Sequence, residues 1–333
     1  MKKRVFLGES FTNLLCSALS ELRESDLIID VWRGGSLLNG WDIALSGELI
    51  CLDRVPLLCR STYLLESLGG ESESIDISVN FMGTEEGYRS KVTLEGKVII
   101  QHDWLMEYSK SKYFIKGGWC KIYRSLKRQV NISRIYGEVQ KVLPDDRTLI
   151  IKNSKIIYSK ILNTLPLPYV LSRLANSDLN KYAEIFKYVS FYIVALIIKE
   201  ALDHLKLTYV GRRGFSLTAV VEVPGRYLLS HDDEYKVLYS FVPVTFNYLR
   251  AELYQKVMSE LRKLKIIKSD NIVVAERSYF ERYGLLGVVK SDCIEHISKE
   301  LRKFEIYLSG RLGSWSDKSI LDILASVKDV KAL

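Results

Sequence analysis

Residues 3–31 read KRVFLGESFTNLLCSALSELRESDLIIDV. Lys3–Leu7 and Leu27–Val31 are short apolar runs typical of β-strands, whereas Leu14–Arg23 places its leucines and its alanine on one side of a helix. Gly8–Asn13 joins the first strand to the helix as a turn. The order of strand, turn, helix and strand predicts a βαβ unit, the element with which many parallel α/β sheets begin.

The turn after the first strand partly matches a known phosphate-binding pattern. Dinucleotide-binding turns read G-x-G-x-x-G, because the three glycines allow a tight bend, approach of a pyrophosphate and close packing of helix on strand. Gly8 keeps the first place, and Ser10 and Asn13 take the other two. Asp30 ends the second strand, where an acidic side chain would bind a ribose hydroxyl. On these residues alone, a chance match with Asp30 as a simple strand cap stays open.

Three further segments follow in order along the chain. Gly117-Gly118-Trp119 opens a helix, residues 156–168 (IIYSKILNTLPLP) end a strand region, and residues 309–315 (SGRLGSW) precede a last helix. With the first turn, this ordered set resembles the flavin amine oxidase superfamily, especially its branch of UDP-galactopyranose mutases and protoporphyrinogen-oxidase-like proteins. The resemblance covers the two ends and the middle of the chain. Residues 170–290 match only in their run of strands.

The resemblance implies an α/β fold: a Rossmann-like FAD/NAD(P)-binding domain, with a parallel sheet flanked by helices, and an inserted β-rich α+β substrate lobe. A chain of 333 residues has room for both. The discontinuous FAD-binding-like domain is expected at 1–65, 105–168 and 300–333. The inserted substrate or partner lobe is expected at 66–104 and 169–299.

The resemblance also implies FAD as the cofactor and assigns positions to it. The expected pyrophosphate contacts are Gly8, Ser10 and Asn13, the ribose contact is Asp30, the adenine contact is the backbone of Val139, and the flavin-facing residues are Gly310, Arg311 and Gly313. The helix beginning near Ser319 would point its positive N-terminus toward the ribityl chain or the pyrophosphate. Each position has a purely structural alternative. For example, Arg311 would then pair with a nearby carboxylate, and Gly117-Gly118 would be a loop.

The implied function is that of a flavoprotein, an oxidoreductase or a mutase that holds a small-molecule substrate between the two lobes. The side chains of Ser10 and Asn13 add bulk where glycine is expected. The alternative is therefore a cofactor-free scaffold or binding protein that kept the fold, as in the related Rab GDP-dissociation inhibitors. No catalytic residue is assigned. Arg212-Arg213 are strand-end candidates of uncertain register, and His231–Glu234 reads as a cation site or, more simply, a polar hairpin tip.

The charge distribution suggests another alternative. The net charge is +8, and the eight basic residues between Ser109 and Gly137 are unaccompanied by any Asp or Glu. A basic face suits an anionic partner. Aromatic residues alternate with these cations, as in nucleic-acid stacking surfaces: Tyr108, Tyr113, Phe114, Trp119 and Tyr123. Nucleic-acid binding is therefore a further hypothesis, ranked below the flavoprotein because the family pattern explains the same segment. A solvated helix face explains the charges equally well.

Cysteine, histidine and hydrophobic patterns give expectations about metal, redox state and location. The five cysteines form no C-x-x-C pair, and the four histidines have no metal spacing, so neither a disulfide framework nor a metal site is predicted. The longest later apolar run, Val189–Ile198, is too short for a membrane helix and reads as a buried strand. A cytoplasmic location without a transmembrane segment is expected. The oligomeric state is left open.

Other segments carry local predictions. Gly34–Gly47 reads as a loop, and Leu49–Leu68 has mixed helical signals. Lys91–Leu94 and Lys97–Ile100 alternate like the two strands of a hairpin, and Ser133–Val142 reads as one strand.

Overall fold

A computed structural model describes residues 2–19, 23–31, 37–58, 70–110, 113–175, 177–229, 233–244, 250–268 and 273–317. Its strands are β1 Lys3–Leu7, β2 Leu27–Asp30, β3 Trp41–Leu45, β4 Glu48–Leu52, β5 Ser72–Ser74, β6 Ile77–Gly83, β7 Tyr113–Ile115, β8 Ser133–Tyr136, β9 Val139–Leu143, β10 Thr148–Ile151, β11 Ser154–Asn163, β12 Tyr188–Ile198, β13 Leu205–Gly211, β14 Ala219–Pro224, β15 Lys236–Val244, β16 Val273–Leu286 and β17 Ile306–Leu308.

The described helices are α1 Phe11–Leu19, α2 Glu85–Val92, α3 Gly118–Gln129, α4 Leu167–Leu171, α5 Gly225–Leu228, α6 Arg250–Lys263, α7 Ser291–Lys303 and α8 Gly310–Gly313. Short 3-10 segments lie at Leu37–Asn39, Met106–Lys110 and Asp178–Ile185. No helix in the described ranges is long and apolar enough to cross a membrane.

The chain divides into two units. The first contains residues 1–36, 123–187 and 288–333, and the second contains residues 37–122 and 188–287. These bounds differ from the expected lobes. Among the described residues, 37–58, 105–110 and 113–122 belong to the second unit, and 169–175, 177–187 and 288–299 belong to the first. The difference arises early: the hairpin of β3 and β4 contributes Ile43, Leu45 and Leu52 to the hydrophobic core of the second unit.

The first unit is built on a mainly parallel sheet. Its parallel strands lie in the order β8-β2-β1-β11-β17, and β10 and β9 continue the sheet antiparallel from the first half of β11. The central strands are buried, as expected for parallel strands covered on both faces. The predicted α/β class and the strand, turn, helix, strand order of residues 3–31 are confirmed.

The second unit is β-rich. Six strands form a sheet in the order β16-β12-β15-β14-β13-β6, antiparallel except for the parallel pair β13 and β6. One face carries a large core that includes Phe191, Tyr239 and Phe241, and the other packs against α6 through residues such as Val257 and Leu261. A separate β-rich sheet is therefore present, as the sequence predicted.

Several local predictions are wrong. The supposed hairpin at 91–100 is the end of α2 and a turn, because Thr84 caps the helix by accepting a hydrogen bond from the Gly87 N–H, and acidic residues fill its first turn. The supposed loop before Gly47 contains β3, and the region expected to be helical begins with β4. The supposed single strand at 133–142 is divided at Gly137, whose N–H donates to the Asp30 carbonyl oxygen at 2.9 Å.

Candidate functional site

Gly8 makes the sharp turn that the phosphate-binding pattern requires. Its φ is +99°, and its N–H donates to the Ile29 carbonyl oxygen at 2.7 Å, which ties the turn to β2. A Cβ on Gly8 would lie 2.6 Å from the Thr164 Oγ1 atom, so a larger residue would be strained and would also clash. The first position of the pattern is therefore retained in geometry as well as in sequence.

Ser10 serves as the N-cap of α1. Its Oγ accepts a hydrogen bond from the Asn13 N–H at 3.2 Å, and its carbonyl oxygen accepts from the Leu14 N–H at 3.0 Å. The hydroxyl oxygen therefore accepts a hydrogen bond from one of the free N–H groups of the first helical turn. Within the described part of the chain, the N–H groups of Ser10 and Thr12 have no acceptor. These two donors, at the positive end of the helix dipole, remain available to an anion.

Asn13 fills the gap between α1 and the sheet instead of spoiling it. It is completely buried, and its Nδ2 atom lies 2.8 Å from the Gly8 carbonyl oxygen and 3.1–3.3 Å from Thr164 Oγ1 and the carbonyl oxygens of Leu7 and Leu162. Its Oδ1 atom is buried without a partner among the described residues. The bulk that the sequence placed at the third glycine is thus accommodated by hydrogen bonds to two strand ends.

The two positions assigned to the adenosine half both already have protein partners. Asp30 ends β2, is 4% exposed, and accepts the Val31 N–H at 2.9 Å through Oδ1. Val139 donates its N–H to the Tyr169 hydroxyl at 3.2 Å, and its carbonyl oxygen accepts from the Arg173 Nε at 2.7 Å. A base that used the backbone of Val139 would have to displace one of these side chains.

The C-terminal segment closes on the same strand ends as the first turn. Gly310, with φ +66°, lies so that a Cβ would be 3.1 Å from the Thr12 Oγ1 atom, and a Cβ on Gly313 would be 2.2 Å from the Asn163 carbonyl oxygen. The structure therefore brings Gly8, Ser10, Asn13, Gly310 and Gly313 together, on the segments that follow β1, β11 and β17. Sequence alone could not show this convergence.

Arg311 pairs with a nearby carboxylate, as its purely structural alternative predicted. Its Nε lies 2.5 Å from the Asp317 Oδ1 atom, and the Asp317 side chain is 6% exposed. This ion pair fixes the guanidinium within its own segment. The helix expected near Ser319 lies outside the described residues.

Glu9 is the residue that sequence reasoning missed. Its side chain is 1% exposed, and its carboxylate lies 2.5 Å from the Lys127 Nζ and 2.6 Å from the Arg134 Nε. The Tyr136 hydroxyl is 3.3 Å from Oε2, and the Tyr123 hydroxyl donates to the Glu9 carbonyl oxygen at 2.7 Å. The only signal in the sequence was the basic stretch without local acids, and Glu9 supplies a counter-charge to two of its cations.

These contacts also change the meaning of the basic stretch. Two of its cations are neutralised by Glu9, and Lys110 and Lys116 pair with Glu107 and Glu71. Four of the five interleaved aromatic rings are at most 4% exposed, namely Tyr108, Phe114, Trp119 and Tyr123. Buried rings do not offer stacking surfaces for bases, so the nucleic-acid hypothesis loses the aromatic part of its support.

The remaining sequence candidates lie in or at the edge of the second unit. Arg212 and Arg213 are exposed in the loop that follows β13, and the Arg212 guanidinium lies over the Phe215 ring at 5.7 Å. His231 lies outside the described residues. No group of three potential metal ligands occurs among the residues that the structure describes.

A buried carboxylate organises the start of α3 in the second unit. The Asp53 oxygens accept the N–H groups of Trp119 and Cys120 at 2.8 and 2.7 Å, and a Cβ on Gly118 would lie within 2.9 Å of that carboxyl group. Burial raises the pKa of Asp53 to about 7, partly offset by the two N–H donors. The Gly117-Gly118 segment thus makes room for an internal cap.

Two cysteines that are far apart in the sequence lie close together in the fold. Cys51 on β4 and Cys120 on α3 form a disulfide with a Cα–Cα distance of 6.2 Å, across a sequence separation of 69 residues. Spacing rules search for cysteines close in sequence, and this pair is brought together only by the fold. Cys16 and Cys293 are free thiols.

The first unit can be tested for its fit to FAD. The Gly8 bend, the N–H groups of Ser10 and Thr12, which have no acceptor among the described residues, and the position of Asp30 fit a dinucleotide at its pyrophosphate and ribose. The Glu9 carboxylate in the same turn is held by Lys127 on α3 and Arg134 on β8. The residues therefore fit the cofactor at its pyrophosphate and ribose.

Comparison with known proteins is informative only at the level of structure. No protein-family model and no curated protein matches the sequence. A reduced UDP-galactopyranose mutase matches with a TM-score of 0.74 and 13% identity, over 95% of this chain and 89% of that chain. A CLA-producing fatty acid isomerase from P. acnes matches with a TM-score of 0.68 and 10% identity, over 99% and 98%.

Putrescine oxidase bound to putrescine also matches, with a TM-score of 0.67 and 11% identity, over 100% of this chain and 99% of that chain. Identities of this size show the fold and leave activity open. The ordered sequence motifs and these structures agree on the fold, and the fold of this chain is similar to that of these three proteins.

Proposed function

We propose that this protein is a flavoprotein that binds FAD in its first unit and acts as an oxidoreductase or a mutase. One observation carries the proposal: the three segments that follow β1, β11 and β17 meet at the carboxyl ends of adjacent parallel strands. In open α/β sheets, ligands bind outside the carboxyl ends of the strands.

The residues have separate roles in this proposal. The N–H groups of Ser10 and Thr12 would donate to the pyrophosphate, and the Asp30 carboxylate would accept from a ribose hydroxyl. Gly310 and Gly313 keep the C-terminal segment close to the turn without side chains in the way. When bound, FAD would supply the redox chemistry, whereas the chain's own groups bind and orient. A small-molecule substrate or a protein partner, and a cytoplasmic location, stay predictions.

The experiment is an absorbance spectrum of the purified protein, followed by titration with FAD. Flavin bands, or saturable uptake of added FAD, are expected. Asp30→Asn should weaken uptake, because it removes the charged acceptor. Asp26→Asn is the matched control: Asp26 is also buried, but it precedes β2 at the opposite end of the strand and pairs with Arg4 at 2.5 Å. A colourless protein that takes up no FAD overturns the proposal.

The second candidate is the cofactor-free binding protein. It is favoured by the Ser10 cap on α1 and by the buried Glu9 ion pairs, which fill with protein groups a place that a cofactor would use. Under this hypothesis the wild-type chain binds no FAD, and glycine at both Ser10 and Asn13 creates or strengthens binding. No gain in that double variant would show that these two side chains are not the obstacle.

A further inference from the structure

The Glu9 carboxylate crosses the end of β2. Glu9 lies two residues after β1, whereas Arg134 and Tyr136 belong to β8, and the strand order is β8-β2-β1. Neighbouring strands are about 4.8 Å apart, so β1 and β8 are about 10 Å apart and the side chains of Glu9, Arg134 and Tyr136 meet between them. Asp30, at the end of that strand, is the register partner of Tyr136. The strand order thus places the Glu9 carboxylate between β1 and β8, next to β2, the strand that ends at Asp30.

The same carboxylate neutralises two positive charges beside the turn, those of Lys127 and Arg134. Lys127 and Arg134 are 28% and 21% exposed at their side chains, and both are in contact with Glu9. The Lys127 Nζ also lies 5.9 Å from the centre of the Tyr136 ring. Arg134 is held further by the carbonyl oxygens of Lys127, Val130 and Ile132. Two fixed cations beside a phosphate-binding turn would attract a nucleotide, but here an internal anion already satisfies them.

We propose that Glu9 is an internal counter-ion that closes the adenosine half of the dinucleotide site, and that FAD binds only by displacing it from Lys127 and Arg134. This inference rests on the proposed function and names the residue that regulates the site. A nucleotide phosphate takes over the two cations when Glu9 leaves. With Glu9 in place, the adenosine half is closed and the nearby pyrophosphate meets a like charge.

A purely structural role for Glu9 makes a different prediction. If the carboxylate only clamps α3 and β8 to the turn, its removal lowers stability and leaves nucleotide affinity unchanged or weaker. If it competes with the ligand, its removal lowers stability and strengthens binding. Affinity and stability therefore move in opposite directions only in the second case.

The test compares FAD and ADP affinities of full-length wild type, Glu9→Gln and Asp26→Asn, by fluorescence titration at one salt concentration. Glu9→Gln is expected to bind both probes more tightly, on the order of tenfold or more, because a like charge is removed from a site of low dielectric. Asp26→Asn, which breaks another buried ion pair of the same unit, is expected to bind as wild type does. Glu9→Gln/Lys127→Gln should lose the gain.

The outcomes separate the inference from the function. Equal or weaker FAD binding by Glu9→Gln overturns the inference and leaves the proposed function standing. Binding by Glu9→Gln without any binding by wild type supports the inference and overturns the function of the natural chain. Binding by neither overturns both. Should Glu9→Gln fail to fold, Glu9→Asp replaces it: the side chain keeps the charge but is one methylene shorter, which weakens its ion pairs, and a smaller gain is expected.

Discussion

The hydrogen bonds of the Asn13 amide predict how much stability is lost when this residue is replaced, because the amide nitrogen can only donate. Its Nδ2 atom faces four oxygens at 2.8–3.3 Å, and an amide nitrogen carries two N–H groups, so two full hydrogen bonds are satisfied at a time. At about 1 kcal/mol each, Asn13→Ala loses about 2 kcal/mol. The better helix propensity of alanine returns about 0.5 kcal/mol, which leaves a net loss of about 1.5 kcal/mol.

Asn13→Asp is nearly the same size and should be much worse. It replaces the donor by a carboxylate oxygen that faces those four oxygens in a fully buried position, and an uncompensated buried charge costs about 3 kcal/mol or more. Urea denaturation at pH 7 measures both losses, and amide exchange in peptides of β1 and α1 locates them. At pH 4 the aspartate variant should recover part of its stability, because the protonated acid can donate. An aspartate variant as stable as the alanine variant would refute the reasoning.

Three other perturbations test the structure. Cys51→Ser should lower the free energy of unfolding by about 4 kcal/mol under oxidising conditions, as expected for a bridge that closes a loop of 69 residues; thiol titration of the denatured protein should show three free thiols before reduction and five after it, and five at both stages would exclude the disulfide with Cys120. The pKa of Asp53 is raised on folding, so the folded protein favours the protonated acid, and the free energy of unfolding of the wild type should decline as pH rises from about 4 through 7. Asp53→Asn should flatten this decline, as measured by denaturation at several pH values. The same slope in wild type and variant would contradict the raised pKa. Gly313→Ala should destabilise the first unit by more than about 2 kcal/mol, because its Cβ would lie 2.2 Å from the Asn163 carbonyl oxygen; a wild-type melting temperature would contradict that close approach.

The strand, helix and strand of residues 3–31 could be predicted because local periodicity and burial agree there. Lys3–Leu7 is recovered residue for residue, and the second strand to within one residue. The predictions for two other elements, α2 and β3, were wrong for opposite reasons. The capping of α2 by Thr84 outweighed an alternating pattern, and the alternation of Trp41–Leu45 was hidden by the glycine and serine around it.

The candidate site was predictable only in part. The role of Gly8 could be predicted, because few residues other than glycine adopt a positive φ such as its +99°. The roles of Glu9, Asn13 and Asp53 depend on partners more than 60 residues away, such as Arg134, which no local pattern reveals. From the sequence alone, Ser10 and Asn13 were therefore interpreted as side chains that obstruct a phosphate-binding turn. In the structure, Ser10 caps α1 and Asn13 fills the gap between α1 and the sheet.

Hydrogen–deuterium exchange of the purified full-length protein, with and without saturating FAD, tests the central claim most directly. Peptides covering residues 3–19, 27–31 and 306–317 should exchange more slowly with FAD, because these segments surround the same strand ends. Peptides of β12 and β15, in the second unit, provide the internal reference. Unchanged exchange in all three segments would contradict a dinucleotide site at the Gly8 turn.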